Sequence, residues 1–176
     1  MTAPRPGRVV IGEPELRARV TALGAEIARG YAAEPPVLVG VLQGAFLFMA
    51  DLVRAMPIDL VTDFVRLESY GGGTTSSGRV RLAEDLATPL AGRDVLVVED
   101  IVDTGRTVAA LRRLLEARRP RSLRVCALCD KVGRREVDVG VDWVGFTIPN
   151  VFVVGYGFDH AGLYRNLPHV VTLEGV

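Results

Sequence analysis

Short continuous apolar segments that alternate with helical patterns constrain the fold of this chain more than any other feature. Segments 37–42 (VLVGVL), 95–98 and 122–128 have the length of strands, and an unbroken apolar run is typical of a strand buried on both faces. Apolar residues recur at helical spacing over 13–29, 45–55 and 107–118. The alternation predicts an α/β fold with a central parallel sheet, whose ligands bind where strands end and helices begin.

The remaining segments complete this outline. Residues 58–67 read as a further strand, and 69–79 (SYGGGTTSSGR) are so rich in Gly, Ser and Thr that we expect a mobile loop. From Trp143 onward the pattern predicts short strands and turns with little helix. No internal repeat or long linker divides the 176 residues, so we expect one domain over 1–176.

Composition argues against several classes of partner. Lys plus Arg and Asp plus Glu are 21 each, so no overall basic field attracts nucleic acid or anionic lipid. The apolar runs are far shorter than the ~20 residues of a membrane span, and the N-terminal residues lack the apolar core of a signal peptide. We therefore expect a cytoplasmic protein without nucleic acid or membrane partners. Cys126 and Cys129 form a lone CxxC inside an apolar run, which favours core packing and leaves redox or metal chemistry as the alternative.

The segment 95–108 (VLVVEDIVDTGRTV) carries the chemistry. Two carboxylates, Glu99 and Asp100, follow a buried strand, where they are costly unless cations, hydroxyls or backbone donors meet them. A sugar diol with a metal ion would supply such partners. The following turn combines small residues and hydroxyls with a helix N-terminus, which favours a phosphate; it comprises Asp103, Thr104, Gly105, Arg106 and Thr107.

Two alternatives apply to this motif. Asp103 could be an ordinary N-cap in an acidic loop. Asp100 could be the nucleophile of a phosphatase, although that class places its second aspartate two residues later and here Asp103 is three away. The chain has no GxxxxGK phosphate loop.

EDIVDTGRT resembles the phosphoribosyl-pyrophosphate (PRPP) signature of type I phosphoribosyltransferases, in the form typical of the hypoxanthine-guanine phosphoribosyltransferase family. Further segments resemble that family in the same order between residues 39 and 170: VGVLQGAFLFMADL, SYGGGTTSSG, CDKVGRR, DWVGFTIPNVFVVGYGFD and LYRNLPHV. The resemblance implies a parallel sheet flanked by helices, with a small hood from the chain ends. It also implies Mg²⁺-dependent purine salvage, in which hypoxanthine or guanine and PRPP give IMP or GMP and pyrophosphate, by a homodimer or homotetramer.

The resemblance also implies residue roles around the PRPP. Glu99 and Asp100 would hold the ribose hydroxyls directly or through Mg²⁺, and Asp159 would bind a second Mg²⁺ through water. Asp103 would act as the general base at purine N7. The turn from Thr104 through Gly105 and Arg106 to Thr107 would hold the 5′-phosphate.

By the same resemblance, four residues would bind the purine: Lys131, Phe152, Val153 and Asp159. Lys131 would donate to the 6-oxo group, Phe152 would stack on the ring, and the backbone of Val153 would read its edge. A solvated charge is the alternative for Lys131, and core packing is the alternative for Phe152.

Pyrophosphate would contact Gln43, Gly44 and Arg165, with a cis peptide expected between Leu42 and Gln43. Gln43 departs from the mammalian-type enzyme, which has lysine there. Ser69 and Tyr70 would open a loop that closes over the reaction.

The sequence leaves open the preference among hypoxanthine, guanine and xanthine. A second functional alternative is a phosphoribosyltransferase-like regulator that binds RNA through a basic face, for which five arginines are candidates: Arg112, Arg113, Arg118, Arg119 and Arg121.

Overall fold

Nine strands and three helices make up the part of the chain that the computed structural model describes, residues 4–31, 34–69 and 80–175. The helices are α1 (Glu13–Ala28), α2 (Phe46–Ala55) and α3 (Arg106–Glu116), and Val132–Arg134 form a 3-10 turn. The strands are β1 (Arg5–Ile11), β2 (Val37–Leu42), β3 (Val61–Ser69), β4 (Val80–Glu84), β5 (Asp94–Val102), β6 (Ser122–Asp130), β7 (Trp143–Thr147), β8 (Val153–Val154) and β9 (Val170–Glu174). The three predicted helices match these bounds within two residues.

Six strands form the central sheet in the order β4-β3-β2-β5-β6-β7. All neighbours from β3 to β7 pair in parallel, whereas β4 pairs antiparallel with β3. The α/β prediction is confirmed, but the sheet is mixed rather than wholly parallel. The connection 70–79 is too short for the crossover that a parallel strand needs, so β4 returns alongside β3.

Helices cover both faces of this sheet. Apolar side chains of α1 and α2, including Leu23 and Phe48, pack with Leu96 and Leu128 on one face. Leu111 and Leu115 of α3 pack on the other face, against the alternate side chains of β2, β5 and β6. The unbroken apolar runs are therefore explained by burial on both sides.

The two ends of the chain meet in a second, antiparallel sheet of order β1-β9-β8. The Tyr164 hydroxyl donates to the Pro4 carbonyl at 2.8 Å, which ties the C-terminal segment to the first described residues. This sheet is the small hood that was expected from the chain ends. No helix in the described ranges has the length and apolarity that crossing a bilayer requires.

Candidate active site

Three adjoining cavities form a groove at the carboxyl edge of the central sheet. The first, about 370 Å³, is lined by Asp103, Lys131 and Phe152 among others. The second, about 310 Å³, contains Glu99 and Thr107 and shares Asp100 with the first. The third, about 360 Å³, contains Gln43 and Arg165 and shares Leu42 with the second. Parallel α/β sheets bind ligands at this edge, so the groove is the candidate active site.

The centre of the groove holds two carboxylates at the end of β5. Glu99 is only 6% exposed, and its Oε2 has no hydrogen-bond partner. Burial, and then the charge of Asp100, raise the pKa of Glu99 well above its usual value. The Asp100 carboxylate lies so close to Gly44 that a Cβ on residue 44 would be 1.7 Å from Asp100 Oδ2. Burial raises the pKa of Asp100 to about 6, although the Ile101 N–H and Arg165 oppose the shift.

These carboxylates suit a divalent cation. Burial is the main cause of both raised pKa values, and a cation beside the unpartnered Glu99 oxygen would favour the ionised form of the two carboxylates. Among the described residues, however, no cluster of three or more His, Cys, Asp or Glu side chains could hold a metal ion. A cation here would need further oxygens from substrate and water, which is how Mg²⁺ is commonly bound.

Asp103 is held between two cationic side chains. Its Oδ2 is 3.8 Å from Lys131 Nζ, and its Oδ1 is 3.1 Å from Arg134 Nε. Lys131 is 7% exposed, so the alternative of a solvated charge is wrong. Sequence reasoning missed Arg134, because nothing in CDKVGRR distinguishes the side chain that turns toward Asp103.

The turn after β5 leads directly into α3. Gly105 is the N-cap, with φ +84° and no side-chain cap bond, so Asp103 is not the N-cap. A Cβ at position 105 would lie 2.4 Å from the Val137 carbonyl oxygen, so no residue other than glycine fits at this position. The Arg106 side chain turns outward, where its Nε donates to Glu136 at 2.8 Å. Arg106 could therefore bind an anion at this turn through its backbone N–H but not through its side chain.

The cavity at the Lys131 end has an aromatic wall. Phe152 is 48% exposed, so the core-packing alternative is wrong. His160 packs edge-on against it, with ring centroids 5.7 Å apart and an interplanar angle of 85°. His160 is held by a bridge with Leu163, in which each backbone N–H donates to the other's carbonyl. Val153 follows as a buried residue of β8.

The opposite end of the groove contains the expected cis peptide between Leu42 and Gln43. Gly157 packs against this loop so closely that a Cβ there would lie 2.2 Å from the Gly44 carbonyl. Arg165 donates to the Gly157 carbonyl and pairs with Asp159 at 2.7 Å. Gly162 N–H donates to the other Asp159 oxygen at 2.7 Å.

Two predicted regions have a different outcome. The backbone of Ser69 ends β3, paired with Val80, whereas Tyr70 and the rest of the predicted mobile loop lie outside the described residues. The thiols of Cys126 and Cys129 are both free and buried, and burial raises the pKa of each. These thiols pack in the core.

Three of the five arginines near α3 pair with carboxylates, and the Arg112 pair with Asp142 is the longest at 3.7 Å. Arg118 pairs with Asp85 at 2.5 Å, and Arg121 pairs with Asp94 at 2.6 Å. Arg112 donates to the Gly140 carbonyl at 3.1 Å. These contacts argue against the basic face that an RNA-binding regulator would need.

A separate cavity of about 550 Å³ lies between α1, α2 and the C-terminal segment. Its charged side chains pair with one another, Arg17 with Glu13 and Arg54 with Asp51. Tyr156 also donates to Asp51 at 2.6 Å. None of the described residues that line this cavity has a buried, unpartnered group comparable to Glu99, so we assign the chemistry to the groove.

The groove combines two adjacent carboxylates, the turn 103–107 that suits a phosphate, and an aromatic wall at Phe152. Comparison with known proteins agrees with such a site. Residues 11–161 match the family model of the phosphoribosyl transferase domain, and the chain belongs to this family. Hypoxanthine phosphoribosyltransferase of Salmonella typhimurium is 48% identical over 164 residues, 92% of each chain. Hypoxanthine-guanine phosphoribosyltransferase of Bacillus subtilis is 44% identical over 167 residues, which cover 95% of this chain and 93% of that one. The crystal structure of a hypoxanthine phosphoribosyltransferase from Staphylococcus aureus superposes with a TM-score of 0.92 at 40% identity, covering 96% and 92% of the two chains. The resemblance drawn from the sequence segments is confirmed.

Proposed function

We propose that this protein is a purine salvage transferase that joins hypoxanthine or guanine to the 5-phosphoribosyl group of PRPP and releases pyrophosphate. The observation that carries the proposal is the order of groups along the groove. Phe152 and Lys131 line the first cavity, the carboxylates and Thr107 line the second, and Arg165 lines the third, from which it also reaches Asp159 of the first. The base, the phosphoribosyl group and the pyrophosphate of this reaction have the same order.

The purine end would account for selectivity toward 6-oxopurines. Phe152 is half exposed and would stack on the base, and the Val153 backbone would read the edge of the base. The Lys131 ammonium has donors but no acceptor, so it suits a 6-oxo group and leaves the 6-amino group of adenine unpaired. Because Lys131 is buried, such an unpaired donor is costly.

The phosphoribosyl group would occupy the centre of the groove. Glu99 and Asp100 would accept hydrogen bonds from its 2′- and 3′-hydroxyls, directly or through Mg²⁺. Backbone N–H groups from Thr104 to Thr107, with the two threonine hydroxyls, would hold the 5′-phosphate at the start of α3. Mg²⁺, when bound, would neutralise charge on the pyrophosphate oxygens.

Asp103 would act where the new bond forms. Purine N9 attacks ribose C1 as the bond from C1 to the pyrophosphate oxygen breaks, and the N7 proton passes to the Asp103 carboxylate. The same negative charge stabilises positive charge that develops at C1. Lys131 and Arg134 lie on two sides of this carboxylate at ion-pair distances, although its buried Oδ1 accepts no hydrogen bond from the described residues.

The leaving pyrophosphate would lie against the loop at Gln43 and Gly44, with Arg165 as a cation. Asp159 forms a salt bridge with Arg165 and accepts a hydrogen bond from the Gly162 N–H. It would therefore approach a second Mg²⁺ through water rather than directly. The family resemblance gives the loop after Ser69 the task of excluding water, which could otherwise capture the ribosyl cation, and that loop lies outside the described residues.

The test is product formation by the purified protein with PRPP, Mg²⁺ and one base at a time. We expect IMP from hypoxanthine and GMP from guanine, each with stoichiometric pyrophosphate, and no AMP from adenine. Xanthine is included because the sequence leaves its use open. Release of orthophosphate without a base would instead support the phosphatase alternative, and absence of nucleotide with all bases would refute the transferase.

We also expect a homodimer or homotetramer in the cytoplasm. Exposed apolar residues such as Val9, Phe46 and Phe64 are available to an interface. Mass measurement by light scattering at micromolar concentration tests the assembly, and a monomeric mass contradicts it.

A further inference from the structure

The third cavity contains more positive charge than the assigned pyrophosphate residues provide. Among the described residues its lining comprises Leu42, Gln43, Phe46, Arg66 and Arg165, and none of these five is a carboxylate. Gln43 is neutral, and Arg165 is already paired with Asp159 at 2.7 Å. Arg66 is the second guanidinium of this cavity, and it lies outside every segment that suggested a function.

Strand register explains why Arg66 reaches this position. It is paired with Leu42 across the parallel β2–β3 ladder, which places it beside the cis peptide at the start of the pyrophosphate loop. Sequence separation hides this proximity, because β3 is reached only after α2 and its connections.

The polar contacts of Arg66 leave it available to a ligand. Its Nη1 is 3.5 Å from Glu84 Oε1, and the Glu84 side chain is 56% exposed. Charge-assisted hydrogen bonds are usually about 2.7–2.9 Å long, so this pairing is weak. Arg66 Nε is buried and has no hydrogen-bond partner among the residues that the structure describes. A buried donor without an acceptor is costly, and an anion in the cavity would remove that cost.

We propose that Arg66 binds the pyrophosphate group and supplies the positive charge that Gln43 lacks. The proposal rests on the transferase function proposed above. The planar guanidinium matches phosphate oxygens in bidentate geometry, and the neighbouring Arg165 adds a second cation on the same cavity. Arg66 is therefore a binding residue for the leaving group, while base binding at Phe152 proceeds without it.

The experiment compares wild type with Arg66→Gln, using steady-state kinetics and product inhibition by pyrophosphate. Loss of a hydrogen bond to a charged group should raise the KM for PRPP and the inhibition constant of pyrophosphate by about 10- to 100-fold. The KM for hypoxanthine should stay unchanged. Adding Gln43→Lys to Arg66→Gln should recover most of the pyrophosphate affinity, because it returns a cation to the same cavity.

Glu84→Gln is the matched control, because it removes the partner of Arg66 and leaves the guanidinium in place. We expect no loss of pyrophosphate inhibition in this variant. An equal loss in Glu84→Gln and Arg66→Gln would overturn the proposal, since Arg66 would then act only through the β3–β4 pairing.

Arg66→Met keeps a long stem without the charge and provides the same test if Arg66→Gln does not fold. An inhibition constant for pyrophosphate higher by about 10- to 100-fold is expected, and an unchanged constant overturns the proposal. Failure of the wild-type protein to form nucleotide would refute the transferase function itself. An active wild type with unaltered inhibition in both Arg66 variants would refute only the role of Arg66.

Discussion

Replacing Asp100 by Asn should stabilise the metal-free protein at neutral pH while impairing its use of PRPP. In the folded protein the pKa of Asp100 is about 6, compared with 3.8 for an ordinary aspartate. Between pH 3.8 and about pH 6, the folded state therefore still holds a proton on Asp100 that the unfolded state has already released. The free energy of unfolding falls as the pH rises from about 4 to about 6 and changes no further through this group.

The size of the effect follows from the two pKa values. Ionising Asp100 above pH 6 costs the folded state about 3 kcal/mol. Asn removes the charge, and its carbonyl can still accept the bond that the Ile101 N–H makes at 2.8 Å. Because a buried amide has its own desolvation cost, we expect a net gain of about 1–2 kcal/mol. For a chain of this size the melting temperature should rise by roughly 2–8 °C.

The assay is denaturant unfolding in EDTA at pH 4.5 and pH 7.5, with Asp138→Asn as a control that removes one exposed charge. The difference in the free energy of unfolding between Asp100→Asn and wild type should be small at pH 4.5 and largest at pH 7.5. With Mg²⁺ and PRPP present, wild type should gain stability and Asp100→Asn should gain much less. A difference that does not change with pH, or a less stable variant at pH 7.5, would refute the reasoning.

Three further predictions concern other parts of the molecule. Asp103→Asn keeps the size of the side chain but removes the base, so turnover should fall by about 10²- to 10⁴-fold with little change in PRPP affinity; near-normal turnover would remove Asp103 as the base. His160→Ala should raise the KM for hypoxanthine severalfold by releasing the Phe152 ring, whereas His160→Phe should retain the edge-on contact, and equal kinetics in all three proteins would contradict this role. Cys126 and Cys129 should not react with a thiol reagent at pH 8 until the protein is unfolded, because burial raises the pKa of both thiols; rapid labelling of the folded protein would favour the redox alternative.

Local patterns in the sequence determined the class of fold and the central motif. Apolar runs of strand length predict β2, β5 and β6 because burial on both faces leaves no polar positions. Helical spacing predicts α1 to α3, and the EDIVDTGRT segment brings two carboxylates, a hydroxyl-rich turn and a helix start together within a few residues. The segments that resemble the phosphoribosyltransferase family identified the family for the same reason, since each is contiguous along the chain.

Only the tertiary structure decided which distant side chains meet in the groove. Lys131 is buried against Asp103, and Arg134 approaches the same carboxylate after a 3-10 turn that no sequence pattern marked. Arg66 lies beside the pyrophosphate loop because β3 pairs with β2 in one particular register. Such placements depend on strand pairing and packing between remote segments, and the periodicity of a single segment carries no information about them.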